Sequence, residues 1–159
     1  GLSAESVTNS ASVLQGQTSV VLKADHLTNT DQAKILAQAG GINVQGLSAS
    51  NAQSVINTGV LQGQTGLGIQ AGALNNRNGS ILSVAGPVEL SLTGTLGNAA
   101  CIIQSASDMT VRAGSYASDG TSVVNAGDAL DVVFNGDANI AGHIVASKAL
   151  SLSAANLAI

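Results

Sequence analysis

Apolar positions along this chain fall in adjacent pairs that return at nearly constant spacing. They are Val13 and Leu14, Ile35 and Leu36, Val60 and Leu61, Ile81 and Leu82, Ile102 and Ile103, Val123 and Val124, and Ile144 and Val145. From Val60 onward each interval is 21 residues. A second apolar motif keeps the same beat, anchored at Leu2, Leu22, Ile69, Leu90, Val111, Val132 and Leu152. One further anchor must fall between Leu22 and Ile69, at Val44 or at Leu47. The hexapeptide that begins at Val13 returns at Val60, which favours Leu47.

A period of this length belongs to solenoids, whose units bury their apolar faces only by stacking on one another. Around the anchors the apolar spacing is two, as in Val88, Leu90 and Leu92 or Met109, Val111 and Ala113, with Glu89, Ser91, Thr110 and Arg112 between them. Such alternation marks strands with one buried face. No stretch sustains a capped 3.6-residue pattern, and 19 glycines are spread through the chain, so helical repeats are excluded. A leucine-rich repeat would need a helical second half, and here that half is another short β-rich segment. The expectation is an all-β parallel β-helix of about seven coils, a single repeat segment over residues 1–159.

Stacked coils place equivalent residues about 4.8 Å apart, giving a rod of roughly 34 Å. One inward column reads Ala4, Ala24, Ala71, Leu92, Ala113, Phe134, Ala154, so each large residue is flanked by small ones, as dense packing requires. A second column, in the turn after that strand, reads Asn9, Asn29, Asn76, Asn98, Ser118, Asn139. Asparagine suits tight turns and can bond the amides above and below it. Alternation lets only one member of each aliphatic pair point inward along a straight strand. The second members, among them Leu36, Leu82, Ile103, Val124 and Val145, would then form a column of their own. Either the chain bends there and buries both residues, or these five belong to an exposed stripe that docks another segment.

Composition narrows the function. The chain is 45% hydrophobic but 1% aromatic and 9% charged, so the core must be aliphatic ladders. A net charge of −4 with five scattered Lys and Arg disfavours nucleic acid. No apolar run approaches the roughly 20 residues of a transmembrane segment, and no signal peptide is recognisable. The segment therefore reads as soluble and as already processed or excised. Exposed core is expected at both ends, where copies can stack end to end or the last coils fray.

Candidate chemistry is sparse. A polysaccharide-cleaving β-helix needs carboxylates clustered on an outer face. The acidic zone comprises Asp108, Asp119, Asp128, Asp131 and Asp137, yet only Asp131 and Glu89 share an outward column, two coils apart. His26 and His143 fall on different faces without metal-binding partners. Cys101 reads as an outward or corner residue, and Tyr116 as packing in the column of Leu27, Leu74 and Leu96. Asn78, Gly79 and Ser80 form a glycosylation triplet of the kind that arises by chance. Mixed outward positions lack the flat threonine ladders of an ice-binding face. No catalytic residue, metal site or cofactor is assigned.

Leu22, Ala24, Leu27 and Asn29, then Ile69, Ala71, Leu74, Asn76, Gly79 and Ile81, and finally Leu152, Ala154 and Leu157 resemble the pattern L-x-A-x-x-L-x-N-x-x-G-x-I. That is the degenerate repeat of filamentous haemagglutinin and related two-partner secretion exoproteins, including contact-dependent growth inhibition proteins. The resemblance covers nearly the whole chain and fades at residues 37–66 and 132–141. Its glycine is met at Gly79 and Gly142 and replaced by Ala100 and Thr121. The resemblance implies a right-handed β-helix forming part of a rod on the surface of a Gram-negative bacterium, exported through an outer-membrane partner. The full filament would reach a target- or host-cell receptor, and this piece would be non-catalytic stalk. The alternatives are a receptor- or glycan-binding region and, ranked below it, a carbohydrate-active enzyme.

Overall fold

A computed structural model describes residues 1–47 and 52–159 of the chain. These residues form strands and turns only, and every strand pairing is parallel. Each coil supplies a strand to each of three faces. The first face includes Val20–Lys23, Ile42–Gln45, Val88–Leu92 and Met109–Ala113. The second includes Ser6–Ser10, His26–Thr30, Ala52–Asn57, Thr95–Asn98 and Ser115–Ser118. The third consists of Val13–Gly16, Lys34–Ala37, Val60–Gly63, Ser80–Ser83, Ile102–Ser105, Val123–Ala126 and His143–Ala146. Three long strands, Leu67–Asn75, Ala129–Asn139 and Ala149–Ala158, run through the first two faces without a break. Those faces therefore join into one 13-stranded sheet, and the third is a seven-stranded sheet of its own. The parallel β-solenoid read from the apolar period is the fold.

The register corrects the placement of the third anchor. Leu22 lies opposite Val44, and Val44 opposite Ile69, so the anchor is Val44. Leu47 sits outside the ladder in a turn, its N–H bonded to Asp25 Oδ1 at 3.3 Å, while Ser48 and Ala49 lie outside the described residues. Pairing resumes with Ala52 opposite Ala71. The coil carries an insertion at the corner between the first and second faces, which is why two anchors competed in the sequence.

The aliphatic pairs also resolve differently from either expectation. On the third face the inward column is Leu14, Ile35, Leu61, Ile81, Ile103, Val124, Ile144. There is no bend that buries both members. The inward residue is the first member in three coils and the second in four, because its outward companion sits now before it and now after it. Ile103 and Val124 are core at 0% and 3% exposure, so the five-residue stripe does not exist as expected; only Leu36, Leu82 and Val145 of it face out.

Volume compensation holds. Ala71 lies opposite Leu92, and Phe134 between Ala113 and Ala154. Tyr116, buried opposite Leu96, stacks on Phe134 at 4.9 Å with the ring planes 11° apart, and Ala138 makes room beyond it. The phenol and phenyl rings, from adjacent coils, thus stack on each other within the core. Where the first face turns into the second, backbones approach closely: Gly94 N–H donates to Gly72 O at 2.6 Å, and a Cβ on Gly94 would lie 2.6 Å from that oxygen. At both ends the inward columns open to solvent, with Leu2 at 45% and Leu150 at 51% exposure, as expected for stacked units lacking a neighbour.

Candidate functional site

The most ordered polar feature is the corner between the second and third faces. Asn9, Asn29, Asn57, Asn76 and Asn98 stack there, all buried. Asn9 Nδ2 donates to Asn29 Oδ1 at 2.8 Å, Asn29 to Asn57 at 2.8 Å, Asn57 to Asn76 at 2.7 Å, and Asn76 to Asn98 at 3.2 Å. The second proton of each of the first three amides goes to a main-chain carbonyl at the start of the third face, such as Lys34 O or Ser80 O. Every amide points the same way, so each bond polarises the next. Among the described residues no buried side-chain nitrogen or oxygen lacks a partner.

Two members of this column were misplaced from sequence. Asn57 belongs to it and was missed because the inserted coil hid its register. Asn139 does not: it lies opposite Ala117 and is exposed, and Ile140 continues the column instead. The neighbouring column is Ala33, Gly59, Gly79, Cys101, Ser122 and Gly142, so the residues that replace the motif glycine are Cys101 and Ser122 rather than Ala100 and Thr121. Ala100 instead turns the corner with φ 53°, as Asn78 does at 58°. Asn78 of the glycosylation triplet is exposed in that turn.

Cys101 is therefore neither outward nor available for cross-linking. It is 3% exposed, and its thiol donates to Asn98 Oδ1 at 2.6 Å. Asn98 Nδ2 reaches the Tyr116 hydroxyl at 3.4 Å, where the amide ladder ends. Burial pushes the thiol up to about 12, against partial relief from an amide hydrogen bond, and burial likewise raises the Tyr116 phenol. A raised thiol stabilises the fold fully below its unfolded value of about 8.5 and progressively less as pH climbs toward the folded value. Unfolding free energies from urea titrations at pH 8 and pH 10.5 should fall steeply for the native chain, by up to about 1.4 kcal/mol per pH unit above ~8.5. In Cys101→Ala the decline should begin only near pH 10, where tyrosine ionises. Thiol reagents should leave Cys101 untouched at pH 8 until the chain unfolds.

The acidic residues bind their neighbours coil to coil. Asp131 takes the Arg112 guanidinium, which lowers its carboxyl pKa, and Asp128 pairs with Lys148 at 2.7 Å. Asp108 accepts the Ala129 N–H at 3.1 Å, and Asp137 accepts Asn156 Nδ2 at 2.7 Å. Asp119 accepts the Ala100 and Thr121 N–H groups and the Thr121 and Ser122 hydroxyls, led by Ala100 in holding its carboxyl well below the usual range. Glu89 and Asp131 do share an outward column, with Thr110 between them, which sets them roughly 9.6 Å apart at the interstrand spacing. His26 lies on the second face against Ser54, at 2.9 Å, and His143 on the third. Among the described residues no three His, Cys, Asp or Glu side chains gather to hold a metal, and no helix is long and apolar enough to cross a membrane. Comparison with protein-family models, with curated proteins and with solved structures finds no match.

Proposed function

We propose that this chain is a non-catalytic stalk and display segment of a filamentous adhesin or toxin-delivery protein, secreted to the surface of a Gram-negative bacterium. The observation that carries this reading is the way its polar chemistry is used. The buried amides bond along the rod axis, and the acids of the densest zone each bind an adjacent coil. Such a rod transmits reach and stiffness, since every coil is tied to the next by backbone and side-chain bonds. The parent filament would pass an outer-membrane secretion partner and meet a target-cell or host-cell receptor elsewhere along its length. Open end columns suit continuation of the stack, by further coils or by another copy end to end.

A direct test exposes the purified chain to target cells, immobilised glycans and acidic polysaccharides. The expected result is no saturable binding and no cleavage. Saturable binding lost on substituting one outer face would replace the stalk reading with a receptor-binding one. Polysaccharide cleavage abolished by Asp131→Asn would replace it with an enzyme.

A further inference from the structure

We propose that the outer surface of the third face is a contact between two copies of this chain, packed sheet against sheet about a two-fold axis along the strand Ser80–Ser83. In each of the seven coils this face turns outward one aliphatic side chain and one that is not. The aliphatic position shifts between two columns: Val13, Val60, Ile102 and Val123 stand in one, Leu36, Leu82 and Val145 in the other. Lys34 is the only Lys, Arg, Asp or Glu among these outward positions, and none of the chain's nine acids lies there. A chain of net charge −4 meets its own copy with least repulsion through a surface of this kind. Short, aliphatic and Gln-bearing strands of low charge are also a composition that favours sheet-to-sheet packing.

The pattern selects the symmetry. A two-fold along the rod axis would exchange the columns within each coil and set Val60 on Gln62 and Ile102 on Gln104. A two-fold along the strand direction through Ser80–Ser83 keeps the columns and reverses the coil order. Val60 then meets Ile102, Gln62 meets Gln104, Leu82 meets Leu82 and Ser80 meets Ser80. Like meets like across the three central coils, and mixed pairs such as Gln15 with Val145 fall at the rim, the arrangement of an interface with a central anchor. Seven strands at about 4.8 Å and four residues at about 3.3 Å give roughly 440 Å² per copy, or ~900 Å² for the pair. That is under the ~1,200 Å² where stable complexes begin, so the dimer is transient.

The test is sedimentation of the chain from about 10 µM to about 1 mM, together with single-cysteine cross-linking. Dimer should appear at the upper end, and Val60→Lys with Ile102→Lys should weaken it about tenfold or more by setting like charges face to face. Both positions point outward, so folding should survive, read as an unchanged circular dichroism spectrum and an unreactive Cys101. With a bis-maleimide spanning about 10 Å, Ser80→Cys should link to its own copy, while Gln15→Cys, placed against the opposite end, should not. Strict monomer at 1 mM overturns the proposal. So does equal linking of Ser80→Cys and Gln15→Cys, or association abolished by Leu150→Lys at the rod end but not by the third-face pair.

Discussion

Replacing Asn57 by aspartate should cost the fold about 3 to 5 kcal/mol at neutral pH, more than any conservative change on the surface. Asn57 is fully buried, accepts the Asn29 amide, and donates both to Asn76 Oδ1 at 2.7 Å and to Ser80 O at 3.2 Å. A carboxylate keeps the acceptor and loses both donors, so two oxygens face an anion where they had faced protons. Asn57→Ala leaves the same neighbours unpaired without the charge, and should cost less, about 2 to 4 kcal/mol. The two variants separate on acidification. A buried acid facing carbonyl oxygens has its folded pKa raised above the unfolded value near 3.9, so the variant's deficit is present above that raised pKa and shrinks as pH falls through it. From pH 7 to pH 4 the denaturant midpoint of Asn57→Asp should move toward that of the native chain, as protonation restores one of the two donors, while Asn57→Ala should stay as far apart. If the aspartate variant showed no pH-dependent recovery, the donor role assigned to Asn57 would be wrong.

Gly79→Ala should be strongly damaging for a single added methyl group, at roughly 2 to 4 kcal/mol. Its Cβ would lie 2.3 Å from Asn57 O, 2.6 Å from Asn76 Oδ1 and 2.8 Å from Asn57 Nδ2. The first is main chain in a parallel ladder and the others are amides held at both ends, so none can yield alone. Where the same column carries Cys101, the bond from Asn76 to Asn98 is 3.2 Å, against 2.7 to 2.8 Å between Asn9 and Asn76. Gly68→Ala is the matched control. It lies on the first face with its nearest contact at 3.9 Å, and an alanine there should stabilise the chain by up to about 1 kcal/mol through the reduced freedom of the unfolded state. Thermal unfolding of the two variants should shift in opposite directions. A neutral Gly79→Ala would mean that the corner is looser than its hydrogen bonds indicate.

These outcomes bear on how much could be read from the residues. Alternation around Val88 to Leu92 and Met109 to Ala113 gave strands, and the recurring pairs gave the coil. Phe134 between two alanines and Tyr116 in a leucine column were legible because volume has to be conserved between layers. Errors gathered where coil length varies. The corner insertion before Ala52 moved the anchor from Leu47 to Val44 and hid Asn57. An extra residue between Phe134 and Asp137, relative to the next coil, displaced Asn139. Reading each aliphatic pair as a fixed unit put all second members in one column, buried or exposed together, whereas Ile103 and Val124 are core and Leu36, Leu82 and Val145 face out.

Alone, the sequence determined that this chain is a stack of parallel strands with an aliphatic core and an asparagine corner, because period, alternation and residue volume are local or one-dimensional quantities. Tertiary structure alone decided which member of each pair is inward, that Cys101 is buried beside Asn98, and that the outward aliphatics share two columns with polar residues along a nearly uncharged third face. Those depend on register between coils. A slip of one residue turns every side chain to the opposite face, and only the stacked hydrogen bonds fix which alignment holds.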